Sequence, residues 1–350
     1  MKIRNIAAAV VAVLLVNTLA FAAVDTRKNK VKKRQSSRLV TLLPASDGVA
    51  VFDAKRFLDD ALPRMLSANQ PMLGEIIAKI NEMENRTGID LRKFDQVAVG
   101  VAFKTISAKE TDYEPILIAG GDINAGALVA VAKLASKGTY REEKIGERTV
   151  YVFTVKDVVQ KSSSKPTTSK VGGMIDDALK GLSKEIAVTS IDSNTLAIGT
   201  LPRVRETLEG KTHASADLTS LLSQKETAVM SFATRIPGGM DSLLPLDNDE
   251  IGNNIKSIQV MAGSLDVSAT GTNLQVMART AKADQAQSLK EMLDGLKMLG
   301  GAILGGSKRS DQQVYSRMIK NAKIANHANE VTLDLLVPQA DIDVLVASIK

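Results

Sequence analysis

Residues 94–119 read FDQVAVGVAFKTISAKETDYEPILIA, and the first half of this stretch alternates strictly. Val97, Val99, Val101 and Phe103 take turns with Ala98, Gly100 and Ala102, so the period is two and the segment reads as a strand with one bulky and one small face. The small face invites a helix to pack closely. Pro115 to Ala119 is a continuous apolar run, which suits a strand covered on both faces. A helix is expected next, over Ala125 to Leu134. Two strands followed by a helix, with no helix between the strands, point to an α+β fold with mainly antiparallel sheets.

Working outward, Gly48 to Phe52 (GVAVF) reads as a strand and Ala54 to Leu66 as a helix, with Phe57, Leu58, Ala61, Leu62 and Met65 on one face despite Pro63. A second helix is expected over Met72 to Met83, with Leu73, Ile76, Ile77 and Ile80 as its buried stripe, stopping near Gly88. Downstream, Thr149 to Val155 is strand-like. Residues 161–184 break the pattern, and KSSSKPTTSK within them reads as a flexible polar insertion, with one short amphipathic helix possible over Val171 to Leu182. Ile186 to Ile191 and Thr195 to Ile198 then form a hairpin through Asp192, Ser193 and Asn194, and a helix begins at Pro202.

The order recurs in the second half. LLPASDGVAVF (42–52) is echoed by LLSQKETAVMSF (221–232), and EIAVTSIDSNTLAIGTLPRVRETL (185–208) by AKIANHANEVTLDLLVPQADIDVL (322–345). Between those echoes, Ser257 to Ser268 and Asn273 to Thr280 form a hairpin through Gly271 and Thr272, followed by a helix over Asp284 to Leu299. The expectation is two diverged α+β repeats, 41–212 and 213–350, each with helices packed on one face of its sheet. The Met72 helix and residues 161–184 are then insertions in the first copy.

Ahead of residue 41 the chain has a different character. Lys2 and Arg4 precede an apolar stretch, Ile6 to Phe21, that ends in Ala20, Phe21, Ala22, the form of an export signal of residues 1–22 cleaved after Ala22. The stretch is shorter than the roughly 20 residues of a comfortable membrane span. Residues 23–40 form a basic tail expected to be disordered, carrying Arg27, Lys28, Lys30, Lys32, Lys33, Arg34 and Arg38. By the positive-inside rule this cluster, outnumbering Lys2 and Arg4, favours retention on the cytoplasmic side. An N-terminally anchored protein is therefore the alternative to a periplasmic or secreted one.

The tail also accounts for the net charge of +6. From Leu39 onward the chain holds 36 basic and 38 acidic residues, so no basic face for nucleic acid is visible and none is expected as a partner. The seven cations of the tail are candidates for contact with an anionic membrane or cell-wall surface, each worth about 1 kcal/mol near such a surface. The chain contains no Cys, which excludes disulfides, thiolate nucleophiles and Cys-based zinc sites. Aromatic residues make up 3% and Trp is absent, which weighs against stacking platforms for sugars or bases.

Motifs of catalysis are missing. His213 and His327 lie far apart and outside any HxxxH spacing, and no GxSxG or HExxH occurs. Asp247, Asp249 and Gly252 fit the first, third and sixth positions of a calcium loop, but Ile258 stands where the bidentate Glu belongs. Gly301, Gly306, Ser307 and Lys308 imitate a phosphate loop in the wrong residue order. A helix end at Gly300 and Gly301 is expected there, with Ser310 and Gln313 as a capping box opening the next helix. No cofactor and no metal are expected.

LPASDGVAVFDAKRFL (43–58), RTGIDLRKFDQVAVGVAF (86–103) and NTLAIGTLPRVRETLEG (194–210) resemble uncharacterised secreted bacterial proteins with this order of elements. The resemblance implies an envelope protein without known catalysis and carries no site residues. Two functional classes follow: an exported, non-catalytic binding or structural module whose partner is an envelope protein or other ligand, or a periplasmic, hydrolase-like enzyme whose site converges only in three dimensions. The export reading makes a direct prediction. Sequencing the mature protein from bacterial fractions should find Ala23 at the N-terminus in the periplasm or medium, and a cytoplasmic chain beginning at Met1 would refute it.

Overall fold

The computed structural model describes residues 38–107, 110–136, 138–154, 185–222, 227–236 and 250–347. The export signal, the tail up to Ser37, the insertion 161–184 and Asp247 to Asp249 lie outside the described residues. The α+β class with antiparallel strand pairing is what the structure shows. The described chain divides into two compact units, 38–55 with 79–216 and 56–78 with 217–347. The segment 56–78 thus packs with the second unit, although in sequence it lies among the elements of the first.

The first unit holds α1 (Arg38–Thr41), β1 (Gly48–Asp53), β2 (Phe94–Ser107), β3 (Glu110–Gly121), α5 (Ala125–Ala135), β4 (Tyr140–Ile145), β5 (Arg148–Thr154), β6 (Glu185–Asp192), β7 (Thr195–Gly199) and α6 (Leu201–Glu209), and α7 (Ala216–Thr219) starts at its last residue and otherwise belongs to the second unit. Its strands lie in the order β1-β2-β3-β7-β6-β5-β4, every neighbour antiparallel. The pairings Val49↔Gly100, Gly100↔Ile116, Ile116↔Gly199, Gly199↔Ala187 and Ala187↔Val152 set these residues in one row on one face. That face is the small one of β2. A Cβ at Gly100 would come within 2.6 Å of Ser46 Oγ, and one at Gly120 within 3.1 Å of Leu39. The close cover is therefore α1 and the loop that follows it, a shorter element than the helix expected.

Arg203 of α6 locks this cover in place. Its side chain is 2% exposed, its Nη2 donates to Ser46 Oγ at 2.7 Å, and Ser46 Oγ–H in turn donates to Pro44 O at 2.8 Å. Nη1 pairs with Glu206, while Nε is buried without a partner. A guanidinium is tolerated at such depth because two of its three nitrogens are engaged, one of them by a carboxylate. On the opposite face α5 packs Val129 and Ala125 against Phe153, Val188 and Leu196. Lys133 Nζ caps that cluster 4.3 Å from the ring centre of Tyr151 and 5.1 Å from that of Tyr140. In this unit, helices stand on both faces of the sheet.

The second unit begins at the last residue of α2 (Ala54–Arg56) and continues with a π turn (Phe57–Ala61), α3 (Leu62–Met65) and the start of α4 (Gln70–Thr87). The π turn has a local cause: Pro63 has no N–H and its ring would crowd the carbonyl four residues back, and widening the preceding turn removes the clash. The Leu62 N–H accordingly reaches back to Phe57 O. After β8 (Ala228–Arg235) and α8 (Glu250–Lys256) come β9 (Ile258–Ser268), β10 (Gly271–Thr280), α9 (Ala283–Gly305), α10 (Ser310–Asn321), β11 (Lys323–His327), β12 (Glu330–Pro338) and α11 (Gln339–Ala347). The strand order is β11-β12-β10-β9-β8. Leu62 and Leu66 form a core with Val314, Met318, Val337, Ile342 and Val346, which is why 56–78 belongs to this unit. A second core joins Ala286 and Leu289 of α9 to Val331.

Two details depart from expectation. Helix α9 runs through Gly300 and Gly301 to Gly305; Gly300 leaves room for Ile319 of α10, whose Cδ1 would lie 3.0 Å from an added Cβ. Ser310 and Gln313 do not form a capping box. The cap position of α10 is Arg309, without a side-chain cap bond, and Ser307 Oγ accepts the Arg309 N–H at 3.2 Å instead.

The small row of the first sheet yields a stability prediction. A Cβ at Gly199 would lie 2.5 Å from Pro115 O and 3.0 Å from Ile116 Cα, both backbone atoms that cannot move aside cheaply. Gly199→Val should cost about 3 kcal/mol or more, read from urea denaturation, whereas Gly138→Ala, in open space, should cost much less despite its positive φ.

Candidate functional site

The second sheet turns one face to α9, α10 and α11. Alternation sends Val331, Leu335, Val337 and Ala278 to that side, where they join the two cores. It leaves Asn273, Gln275 and Met277 of β10 and Thr332 and Asp334 of β12 on the other. Register sets Gln275 opposite Asp334 and Met277 opposite Thr332. The Asp334 carboxylate is held from both sides: Gln275 Nε2 donates to Oδ2 at 2.8 Å and Asn273 Nδ2 donates to Oδ1 at 3.3 Å. Asn273 Oδ1 is itself buried without a partner. Four residues further along the same pair of strands, Arg279 Nε donates to Glu330 Oε1 at 2.9 Å.

A cleft of about 400 Å³ lies over this row, lined by Leu221, Gly263, Gln275, Met277, Thr332 and Asp334 among others. Gly263 shapes it. A Cβ there would meet the Phe232 ring at 2.7 Å and Gln275 O at 2.8 Å, so only glycine lets the ring of Phe232 lie against β9. The result is a shallow site with apolar flanks, Leu221 and Met277, around a carboxylate whose orientation is fixed by two amides. Such a constellation can accept hydrogen bonds from a donor-rich or cationic group while the flanks exclude water. Sequence reading missed it. Its signal, polar residues at 273, 275, 332 and 334 on alternating strand positions, is the ordinary signature of any open sheet face.

Of the residues singled out in sequence, Arg38 is described, and Arg27, Lys28, Lys30, Lys32, Lys33 and Arg34 lie outside the described residues. Arg38 opens α1, is 77% exposed and pairs with Asp192 at 3.0 Å. Its charge is therefore engaged within the first unit. His213 and His327 are both exposed and belong to separate units. Glu250 and Gly252 lie in α8 and Ile258 opens β9. Among the described residues no group of three or more His, Asp or Glu is placed to hold a metal.

Titration is perturbed elsewhere. Hydrogen bonding from Arg92 holds the Asp90 carboxyl below its usual range, and Arg309 does the same to Asp311. Arg317 donates to Asp341 at 3.0 Å, and that hydrogen bond raises the guanidinium further. Burial raises the Tyr113 hydroxyl. Each of these stands outside the cleft.

No protein-family model and no curated protein matches the chain. Among solved structures, crystal forms of TP0453 align over nearly the whole chain. Crystal form III gives a TM-score of 0.45 at 8% identity over 90% of this chain and 99% of that one. Form I gives 0.40 at 9% over 89% and 98%, and form IV 0.43 at 9% over 91% and 98%.

The amide-clamped carboxylate can be tested by itself. Asp334→Ala leaves the side chains of Gln275 and Asn273 without their acceptor, and should lower unfolding stability by about 1–2 kcal/mol. Asp334→Asn, which retains an oxygen, should lose less in the same denaturant titration.

Proposed function

We propose that the protein is an exported, non-catalytic component of a bacterial envelope that binds a partner through the open face of its second sheet. The observation that carries this reading is the cleft over Asp334, Gln275 and Met277, in which a fixed acceptor is set between apolar walls. The complementary group is an amine, guanidinium or amide donor on a partner with apolar neighbours. Binding rather than turnover fits the arrangement, because Asp334 is held by neutral amides and is the one titratable residue among the described residues of the cleft lining, with Lys323 opposite it in register on β11. The basic residues Arg27, Lys28, Lys30, Lys32, Lys33 and Arg34 supply a tether to anionic lipid or cell-wall polymer in this reading, with Arg38 fastened to the folded unit at its end.

The test is photo-crosslinking in intact cells. A photoreactive side chain at Thr332, exposed on the rim, should yield a discrete adduct that disappears in Asp334→Arg. An adduct that persists in Asp334→Arg, or none above the level obtained from the exposed position Leu134, would overturn the assignment of this face.

A further inference from the structure

The C-terminal end of α9 reaches past the sheet it covers. In its first half, Leu289 is buried and Met292 and Leu293 pack against the core with Val331 and Ala278. The same helical face continues at intervals of three and four residues through Leu296, Leu299 and Ile303. Those residues are 45%, 57% and 77% exposed, and Met298 on the flank is 73% exposed. Met298 to Gly306 contains no charged residue. Helix α10 covers only one side of this end, at Gly300 against Ile319 and Gly305 near Ser316. A helix end that is apolar around most of its circumference is normally buried.

Cations ring this apolar end. Lys297 precedes it, Lys308 and Arg309 follow it, and Lys320 stands beside it on α10. Arg309 is paired with Asp311 and Lys297 donates to Ala322 O. Lys297 and Lys320 also line a cleft of about 440 Å³ with Met298, Gly301 and Asp294. A second copy docking by two-fold symmetry would bring this lysine rim against itself, which disfavours self-association. The side chains that the end of α9 exposes are flexible Met, Leu and Ile, not the Trp, Tyr and Arg that dominate protein interfaces.

We propose that the end of α9 inserts into the surface of a bilayer containing anionic lipid. Leu296, Met298, Leu299 and Ile303 enter the acyl boundary, and Lys297, Lys308 and Lys320 meet the headgroup phosphates, as an interfacial amphipathic helix does. The contact is independent of the sheet cleft. The two fail separately, since one is read at residue 303 and the other at residue 332.

The absence of Trp from the chain supplies a clean probe. Ile303→Trp in the full chain, mixed with vesicles of 70% phosphatidylcholine and 30% phosphatidylglycerol, should show blue-shifted emission quenched by lipids brominated on the acyl chain. A Leu134→Trp chain, equally exposed on the first unit, should show no quenching, which separates insertion of this helix end from attachment through residues 6–21. Adding Leu296→Gln, Met298→Gln and Leu299→Gln to Ile303→Trp should cut the quenching at least fivefold, and Lys308→Gln with Lys320→Gln about threefold. Overturning results are Ile303→Trp emission indifferent to brominated lipid, equal quenching in vesicles of phosphatidylcholine alone, or a vesicle-independent dimer abolished by the Gln substitutions.

Discussion

A covering segment can approach a sheet only as closely as the strand side chains beneath it allow, and the first unit depends on that constraint. Gly100, Gly199 and Ala187 stand in one row, with Ile116 of β3 between the two glycines, and over the Gly100 end of this row the loop after α1 comes within van der Waals reach of the backbone. Only then does Ser46 stand where a guanidinium from α6 can reach it. The buried Arg203 is thus a consequence of the small row, and it converts loose proximity into a fixed hydrogen-bonded joint. Larger residues in that row would lift the cover, and the Arg203 side chain would lose its acceptor.

In the second unit the same reasoning operates at single positions. Gly263 admits the ring of Phe232 beside β9, and Gly300 admits Ile319 between α9 and α10. One shapes the floor of the open-face cleft and the other holds α10 against one side of α9 while the rest of that helix end stays uncovered. Both candidate surfaces of this unit are therefore set by where a Cβ is missing, and the side chains that do the contacting are ordinary ones.

Much of the fold was legible in the sequence. The alternation at Val97 to Phe103, the hairpin at Asp192 to Asn194 and the strand, turn, strand, Pro, helix order from Lys323 onward all appear as read, because period-two patterns and turn residues act over a few neighbours. The strand Tyr140–Ile145 was missed: YREEKI is mostly polar and exposed, as an edge strand with one wet side is entitled to be. The candidate cleft was missed for a related reason. Asn273, Gln275 and Asp334 look like any solvent-facing strand residues until register brings two amides onto one carboxylate.

By itself the sequence determined the class of fold, the near neutrality of the body beyond residue 38 and the absence of thiol chemistry, since these follow from local periodicity and composition. Tertiary structure alone decided that residues 56–78 belong with the C-terminal unit, that α9 overhangs its sheet, and that Asp334 is clamped. The physical reason is range. Periodicity says which face of an element is apolar, but which other face covers it depends on contacts between residues far apart in the chain, Leu62 with Val346 or Gln275 with Asp334, and on where those contacts stop.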